Sequence, residues 1–350
     1  MSSFSVPNIK ISGIAACTPK NTESNYNYDW LTKQEQDLLV KTTGIENRKV
    51  VNDGRTTSDL CFDASEKLLS DLNWNKEEIG ILIFVSQSRD YFLPATAIIL
   101  QQRLGLNTST IAFDISLGCS GYVYGLSVIS SLMKNTGSKK ALLLAGDVSS
   151  FSLNKKDKST YPLFGDAGTA TALELTENVE MHYSLNSDGS GKDAIIIPDG
   201  GLRNPLNDES FIEKEIDKGI WRSNRNLKLE GLDVFNFSIT KVHPQIQALL
   251  AEHQIDIDKI DYFVFHQANK LILETIRKKL KIAPEKVPYS LKDYGNTSSA
   301  SIPLTIVTEL NKEVQNNKLS MLFCGFGVGL SWGTVLLTLD HIICPKIIEN

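Results

Sequence analysis

Short runs along the chain are apolar without alternation: Ile81 to Val85, Thr110 to Ile115, Ala141 to Ala145, Ala170 to Leu175, Tyr262 to Phe265, Met321 to Cys324 and Thr334 to Leu339. Such runs read as strands covered on both faces. Between them lie amphipathic stretches with helical spacing, for example Ser58 to Leu72, Ala95 to Leu104, Tyr122 to Lys134, Val234 to His253 and Ala268 to Leu280. Strand and helix alternate, which predicts a layered α/β fold and argues against an all-α or all-β chain.

Three segments of the first half find partners in the second, in the same order. Ile79 to Phe84 aligns with Ile260 to Phe265, Ala141 to Gly146 with Ser320 to Gly325, and Gly168 to Leu175 with Gly333 to Asp340. The common order predicts two copies of one α/β unit, residues 1–180 and 181–350, with a site at their junction. A stretch rich in Gly, Asn, Asp and Pro, from Ser184 to Asn226, reads as a loop insertion after the first copy.

Charge narrows the partners. With 36 Lys plus Arg against 41 Asp plus Glu, the 350-residue chain carries a formal net charge of -5, the wrong sign for coating nucleic acid or anionic lipid. Its five cysteines (Cys17, Cys61, Cys119, Cys324, Cys344) are scattered and form no CxxC pair, which argues against a disulfide framework or a thiolate zinc site. The apolar runs are too short to span a bilayer, and the start MSSFSVPNIK has no leader pattern. The expectation is a cytoplasmic protein that binds neither nucleic acid nor membrane.

Of the cysteines, Cys119 has the most suggestive setting. Gly118-Cys119-Ser120-Gly121 follows a strand and opens a helical pattern, so the thiol lies at a helix N-terminus, where the helix dipole and free N–H groups favour thiolate. Locally, a small buried structural thiol fits as well. His266 stands at the C-terminal end of the run Phe263-Val264-Phe265, where α/β proteins face their ligands, and is the best placed of five histidines to partner a cysteine nucleophile. Gly295-Asn296-Thr297-Ser298 precedes a helical stretch, so Asn296 reads equally as a cap or as a side-chain donor. The loop Gly325 to Gly333 joins two strands and offers backbone N–H groups, but it lacks the spacing of a dinucleotide fingerprint. There is no P-loop and no metal-ligand spacing.

Together, Gly118-Cys119-Ser120-Gly121, His266-Gln267-Ala268-Asn269, Gly295-Asn296-Thr297-Ser298 and Gly327-Val328-Gly329-Leu330-Ser331-Trp332-Gly333 resemble β-ketoacyl-acyl-carrier-protein synthase III, a family of thiolase-fold condensing enzymes. Thr43-Gly44-Ile45 and Phe164-Gly165-Asp166-Ala167-Gly168 resemble further family motifs in the right order. The resemblance implies a five-layered αβαβα fold of two duplicated halves and a homodimer. It implies that Cys119 accepts an acyl group from acyl-CoA or an acyl carrier, while His266 and Asn296 activate malonyl-acyl-carrier protein by decarboxylation. The backbone N–H groups of Cys119 and Val328 would hold the oxyanion. No metal or redox cofactor is implied, CoA and carrier phosphopantetheine being substrate carriers.

Other positions depart from the family pattern. Leu38 and Thr42 replace the Trp and Arg that hold the CoA adenine, and Val328 replaces a glycine. Leu93 falls at the acyl-pocket gatekeeper position. Lys270, Arg277, Lys278, Lys279 and Lys281 could form a basic dock for an acidic carrier protein, or simply a solvated helix face. The alternative activity is a non-decarboxylating transfer from Cys119 to an amine or alcohol. A 3-hydroxy-3-methylglutaryl-type synthase would want a carboxyl group near Cys119, for which Asp90 is the candidate.

Overall fold

The structure, a computed structural model, describes residues 2–350. Nine strands form its main sheet: β1 (Ser2–Thr18), β2 (Ile79–Val85), β3 (Ile111–Ile115), β4 (Lys140–Asp147), β5 (Ala167–Ser187), β6 (Tyr262–Phe265), β7 (Lys318–Gly327), β8 (Ser331–Asp340) and β9 (Ile348–Glu349). In the first half β2 lies parallel to β3 and β4, and β4 runs antiparallel to the start of β5. The second half repeats the pattern, with β6 parallel to β7 and β7 antiparallel to β8. The three aligned pairs of segments therefore hold equivalent places.

Two long strands knit the halves. β5 pairs with β4 through Ala167 to Glu174 and with β8 through His182 to Ser187, so residue 180 lies inside a strand. β1 follows β5 antiparallel along both parts.

Helices α1 (Lys33–Thr43), α2 (Thr57–Leu72), α3 (Thr96–Arg103), α4 (Gly121–Thr136), α5 (His243–Glu252), α6 (Lys270–Leu280) and α7 (Ser301–Glu309) supply most of the helical packing. Strand residues alternate between a central apolar cluster and one of two outer ones. Ile81, Ile83, Val85, Leu143, Val264 and Phe323 pack with Leu126 and Ile129 of α4 and Ile302 and Ile306 of α7. Leu82, Phe84, Leu142 and Leu144 turn the other way, onto Leu60 and Leu68 of α2 and Leu100 of α3. Phe263, Phe265 and Leu322 pack outward on Leu249 of α5 and on Leu273 and Ile276 of α6. This is the expected five-layered αβαβα arrangement, and two-sided burial explains why the runs show no alternation.

Local differences from the sequence reading have physical causes. β1 is not apparent in the pattern because Pro7 and Asn8 interrupt it; Asn8 adopts φ 69 and the register shifts between Pro7 and Ile9. The helical stretch from Val234 to His253 is broken by a π-turn at Ser238–Val242. After Ser187, the loop-rich stretch to Asn226 carries the small hairpin Lys214–Asp217/Ile220–Arg222, tied to Asp157 by the Arg222 ion pair at 3.1 Å. Among the described residues no helix is long and apolar enough to cross a membrane.

Candidate active site

Cys119 lies in the turn between β3 and α4, just before Ser120, the N-cap of α4, and is 9% exposed. Two glycines let chain approach it. A Cβ at Gly118 would meet Val328 Cγ1 at 2.9 Å, and one at Gly327 would meet Cys119 Sγ at 2.9 Å. The Val328 N–H and the cysteine's own N–H turn toward the sulfur. Val328 is not among the residues with positive φ, so a β-branched side chain stands there without strain.

Burial is the largest influence on the acidity of this thiol. Burial pushes Cys119 up to about 11, more than the Val328 N–H and the Ser298 hydroxyl beside it offset, and the carboxylate of Asp147 adds to the rise. The resting group is a thiol. The expectation of a lowered pKa fails because the same packing that brings donors to the sulfur also removes water from it.

His266 follows the end of β6, where its N–H donates to Cys324 O at 2.8 Å. The ring is buried, stands edge-on to Phe326 at 5.6 Å, and has Ser301 Oγ at 2.7 Å from Nδ1. Burial drives its pKa down to about 3, against the backbone of Ser298 that favours the protonated form. The imidazole is therefore neutral at ordinary pH. In the tautomer in which the Ser301 hydroxyl donates to Nδ1, Nε2 carries the single proton and is the donor available to a ligand.

Asn296 is pinned by the Phe164-Gly165 motif: its N–H donates to Leu163 O at 2.8 Å and its carbonyl accepts the Gly165 N–H at 3.0 Å. Its side-chain Oδ1 accepts the Ser298 N–H at 2.9 Å. Thr297 and not Asn296 is the N-cap of the short turn Ser298–Ala300; Asn296 Oδ1 instead closes a side-chain turn onto the Ser298 N–H and leaves the amide NH2 able to donate. Ser298 contacts both partners, with its N–H on Asn296 and its backbone beside His266.

Asp147, at the end of β4, is buried beside this loop and was not among the sequence candidates. Its signal would have been a carboxylate directly after the buried run Ala141 to Ala145. Asp90 is engaged elsewhere, with Oδ2 accepting from Ser58 Oγ at 2.8 Å and its N–H donating to Thr96 Oγ1 at 3.2 Å.

The remaining candidates lie at the surface. Leu93 is 86% exposed beside the exposed Tyr91 and Phe92. Leu38 and Thr42 share the open face of α1, and the Gly44 turn that ends α1 packs against Lys270. Lys270, Lys278, Lys279 and Lys281 are exposed, whereas Arg277 is paired with Glu274 at 2.8 Å and donates to Ile282 O at 2.7 Å. All five cysteines are free.

Comparison with known proteins identifies the family and its fold. Family models described as 3-oxoacyl-[acyl-carrier-protein (ACP)] synthase III and its C terminal match residues 113–189 and 250–339. The first stretch contains Cys119; the second contains His266, Asn296 and Val328. Beta-ketoacyl-[acyl-carrier-protein] synthase III of Clostridium perfringens is 33% identical over 334 residues, 95% of this chain and 99% of its own. A solved 3-oxoacyl-(acyl-carrier protein) synthase from Burkholderia xenovorans LB400 superposes with a TM-score of 0.93 at 37% identity, covering 99% of both chains. The 3-oxoacyl-(acyl carrier protein) synthase III of Pseudomonas aeruginosa PAO1 gives a TM-score of 0.83 at 26% identity, covering 96% of this chain and 99% of its own.

Proposed function

The chain belongs to the 3-oxoacyl-[acyl-carrier-protein] synthase III family, and we propose that it performs the decarboxylative condensation of that family through Cys119, His266 and Asn296. The enzyme joins a priming acyl thioester to malonyl-acyl-carrier protein, giving 3-ketoacyl-acyl-carrier protein and CO2.

In the first half-reaction the sulfur of Cys119 attacks the acyl thioester, its proton leaves with the departing thiol, and the N–H groups of Cys119 and Val328 meet the oxyanion. In the second, the malonyl carboxylate leaves as CO2 and the electron pair passes to an enolate. The enolate oxygen needs donors that do not surrender their protons. A neutral imidazole Nε2–H and the amide NH2 of Asn296 meet that requirement, and Phe326 helps keep the site dry. The carbanion then attacks the acyl-Cys119 carbonyl, and the sulfur leaves and takes up a proton. The chemistry is complete with these groups, so we assign no cofactor beyond CoA and phosphopantetheine as carriers.

The observation that carries this reading is Ser298, which bonds Asn296 on its own loop and stands against the neutral ring of His266 at the end of β6. A non-decarboxylating acyltransferase would have no use for two such donors. The test is to incubate the protein with acyl-CoAs and acyl-carrier thioesters and follow Cys119 by intact mass before and after malonyl-carrier protein is added. An adduct that disappears into a 3-ketoacyl product is expected. An adduct discharged only by an amine or alcohol would overturn the condensation.

Lys270, Lys278 and Lys281 are the proposed contacts for the acidic carrier, with Arg277 shaping the helix end through Glu274. A homodimer is supported by the open edge strand β3 and the groove formed by Phe4, Ile111, Phe113, Val128 and Leu132 beside it. A second copy there would cover apolar surface, and Leu93 would then act as gatekeeper across the interface. Free cysteines and negative charge support a cytoplasmic location.

A further inference from the structure

Asp147 divides its two oxygens between the two halves of the molecule. Oδ1 accepts from Ser86 Oγ at 3.0 Å, Gln87 N–H at 2.8 Å and Ser88 Oγ at 3.3 Å, all in the loop after β2. Oδ2 accepts from Ser299 N–H at 3.3 Å and Ser299 Oγ at 3.0 Å, in the loop before α7. The side chain is 3% exposed, and among the described residues no lysine, arginine or histidine pairs with it. Burial raises the Asp147 pKa, and the neutral donors of Gln87, Ser298 and Ser299 oppose that rise by bonding to it as an acceptor.

What Asp147 grips is the segment that aims both enolate donors. Ser298, next to Ser299, has φ 51, a left-handed conformation that a residue with a Cβ keeps only when its surroundings hold it. In that conformation its N–H reaches Asn296 Oδ1 at 2.9 Å and its backbone stands beside the His266 ring. Ser301, on the same segment, contacts His266 Nδ1 at 2.7 Å. A loop that touches both donors must be fixed from outside, and the bonds from Ser299 to Asp147 do this.

We propose that Asp147 is a positioning residue for the decarboxylation half-reaction, holding the Ser298–Ser299 backbone so that Asn296 and His266 converge on the enolate oxygen. This rests on the condensation assigned above. Asp147 touches neither donor and acts only through the loop.

Asp147→Asn keeps the shape but replaces one acceptor oxygen with an NH2, which then faces a Gln87 or Ser299 donor and releases one end of the bridge. The experiment measures, for wild type and variant, acyl transfer from acyl-CoA to Cys119 and CO2 release from malonyl-carrier protein. A positioning role predicts CO2 release reduced about tenfold or more, with acyl transfer within about threefold of wild type. Alkylation of Cys119 by iodoacetamide should be undiminished, because a negative charge beside the thiol is removed. Equal losses in both half-reactions, or unchanged CO2 release, in a folded Asp147→Asn protein would overturn the proposal. Should Asp147→Asn not fold, Ser299→Ala, which removes one donor and keeps the backbone N–H, must show the same split in milder form. If wild type gives neither adduct nor CO2, the assigned condensation itself fails, and the inference with it.

Discussion

Gly327 lies against Cys119 so closely that a Cβ added to it would sit 2.6 Å from the cysteine Cβ and 2.9 Å from its sulfur. The second half of the chain thus presses bare backbone onto the nucleophile of the first. Gly327→Ala is expected to cost about 1–3 kcal/mol through overpacking and to slow Cys119 acylation far more than it lowers Tm. Gly201→Ala, where an added Cβ meets nothing within 4 Å, is the control. Intact-mass acylation rates and melting curves check the pair, and an unimpeded Gly327→Ala would show that the contact relaxes freely.

The double use of Asn296 can be separated by one substitution. Asn296→Asp keeps an oxygen to accept the Ser298 N–H but loses the amide NH2. Acylation of Cys119 should persist, while CO2 release falls by about 100-fold, the usual effect of removing one oxyanion donor. Retained CO2 release would assign Asn296 to holding the Ser298 turn alone.

Thiol reactivity offers a direct view of burial. Because Cys119 is pushed up to about 11, its alkylation by iodoacetamide in the free enzyme should be slow at neutral pH and rise with a midpoint well above the 8.5 or so of an ordinary cysteine. A midpoint at or below the ordinary value would mean that the helix N-terminus outweighs desolvation after all.

His266 couples the site to stability. Its pKa falls from an ordinary value near 6.5 in the unfolded chain to about 3 when folded, so the unfolded state binds the extra proton between those values. The contribution is fully present above about 6.5 and is lost as pH falls toward 3, with a slope of at most about 1.4 kcal/mol per pH unit. Asp166, raised to about 6 by burial, acts in the opposite sense between about 4 and 6. The difference between wild type and His266→Gln therefore isolates the histidine: the variant should lose less stability on acidification, as read from urea midpoints between pH 7 and pH 4.5. Parallel curves would contradict the buried neutral imidazole.

Carrier docking should divide the basic residues of α6. Lys270→Glu, Lys278→Glu and Lys281→Glu are expected to raise KM for malonyl-carrier protein with little change in kcat, in a salt-sensitive manner. Arg277→Ala should instead affect mainly stability, by about 1 kcal/mol or less, because its charge is already spent on Glu274. Steady-state kinetics at two ionic strengths separate these outcomes.

Much of this molecule could be read along the chain. The two-sided strands, the internal duplication and the settings of Cys119 before α4 and His266 after β6 follow from local apolar runs and turn residues, because burial on both faces and strand-to-helix turns impose short-range patterns. What tertiary structure alone decided is how groups distant in sequence alter one another. The neutrality of His266, the raised pKa of Cys119, the occupation of Arg277 by Glu274 and the bridge from Asp147 to Ser299 all depend on desolvation and on bonds between the two halves. No single segment encodes those terms, since they arise only when packed chain excludes water and brings a carboxylate of one copy against a loop of the other.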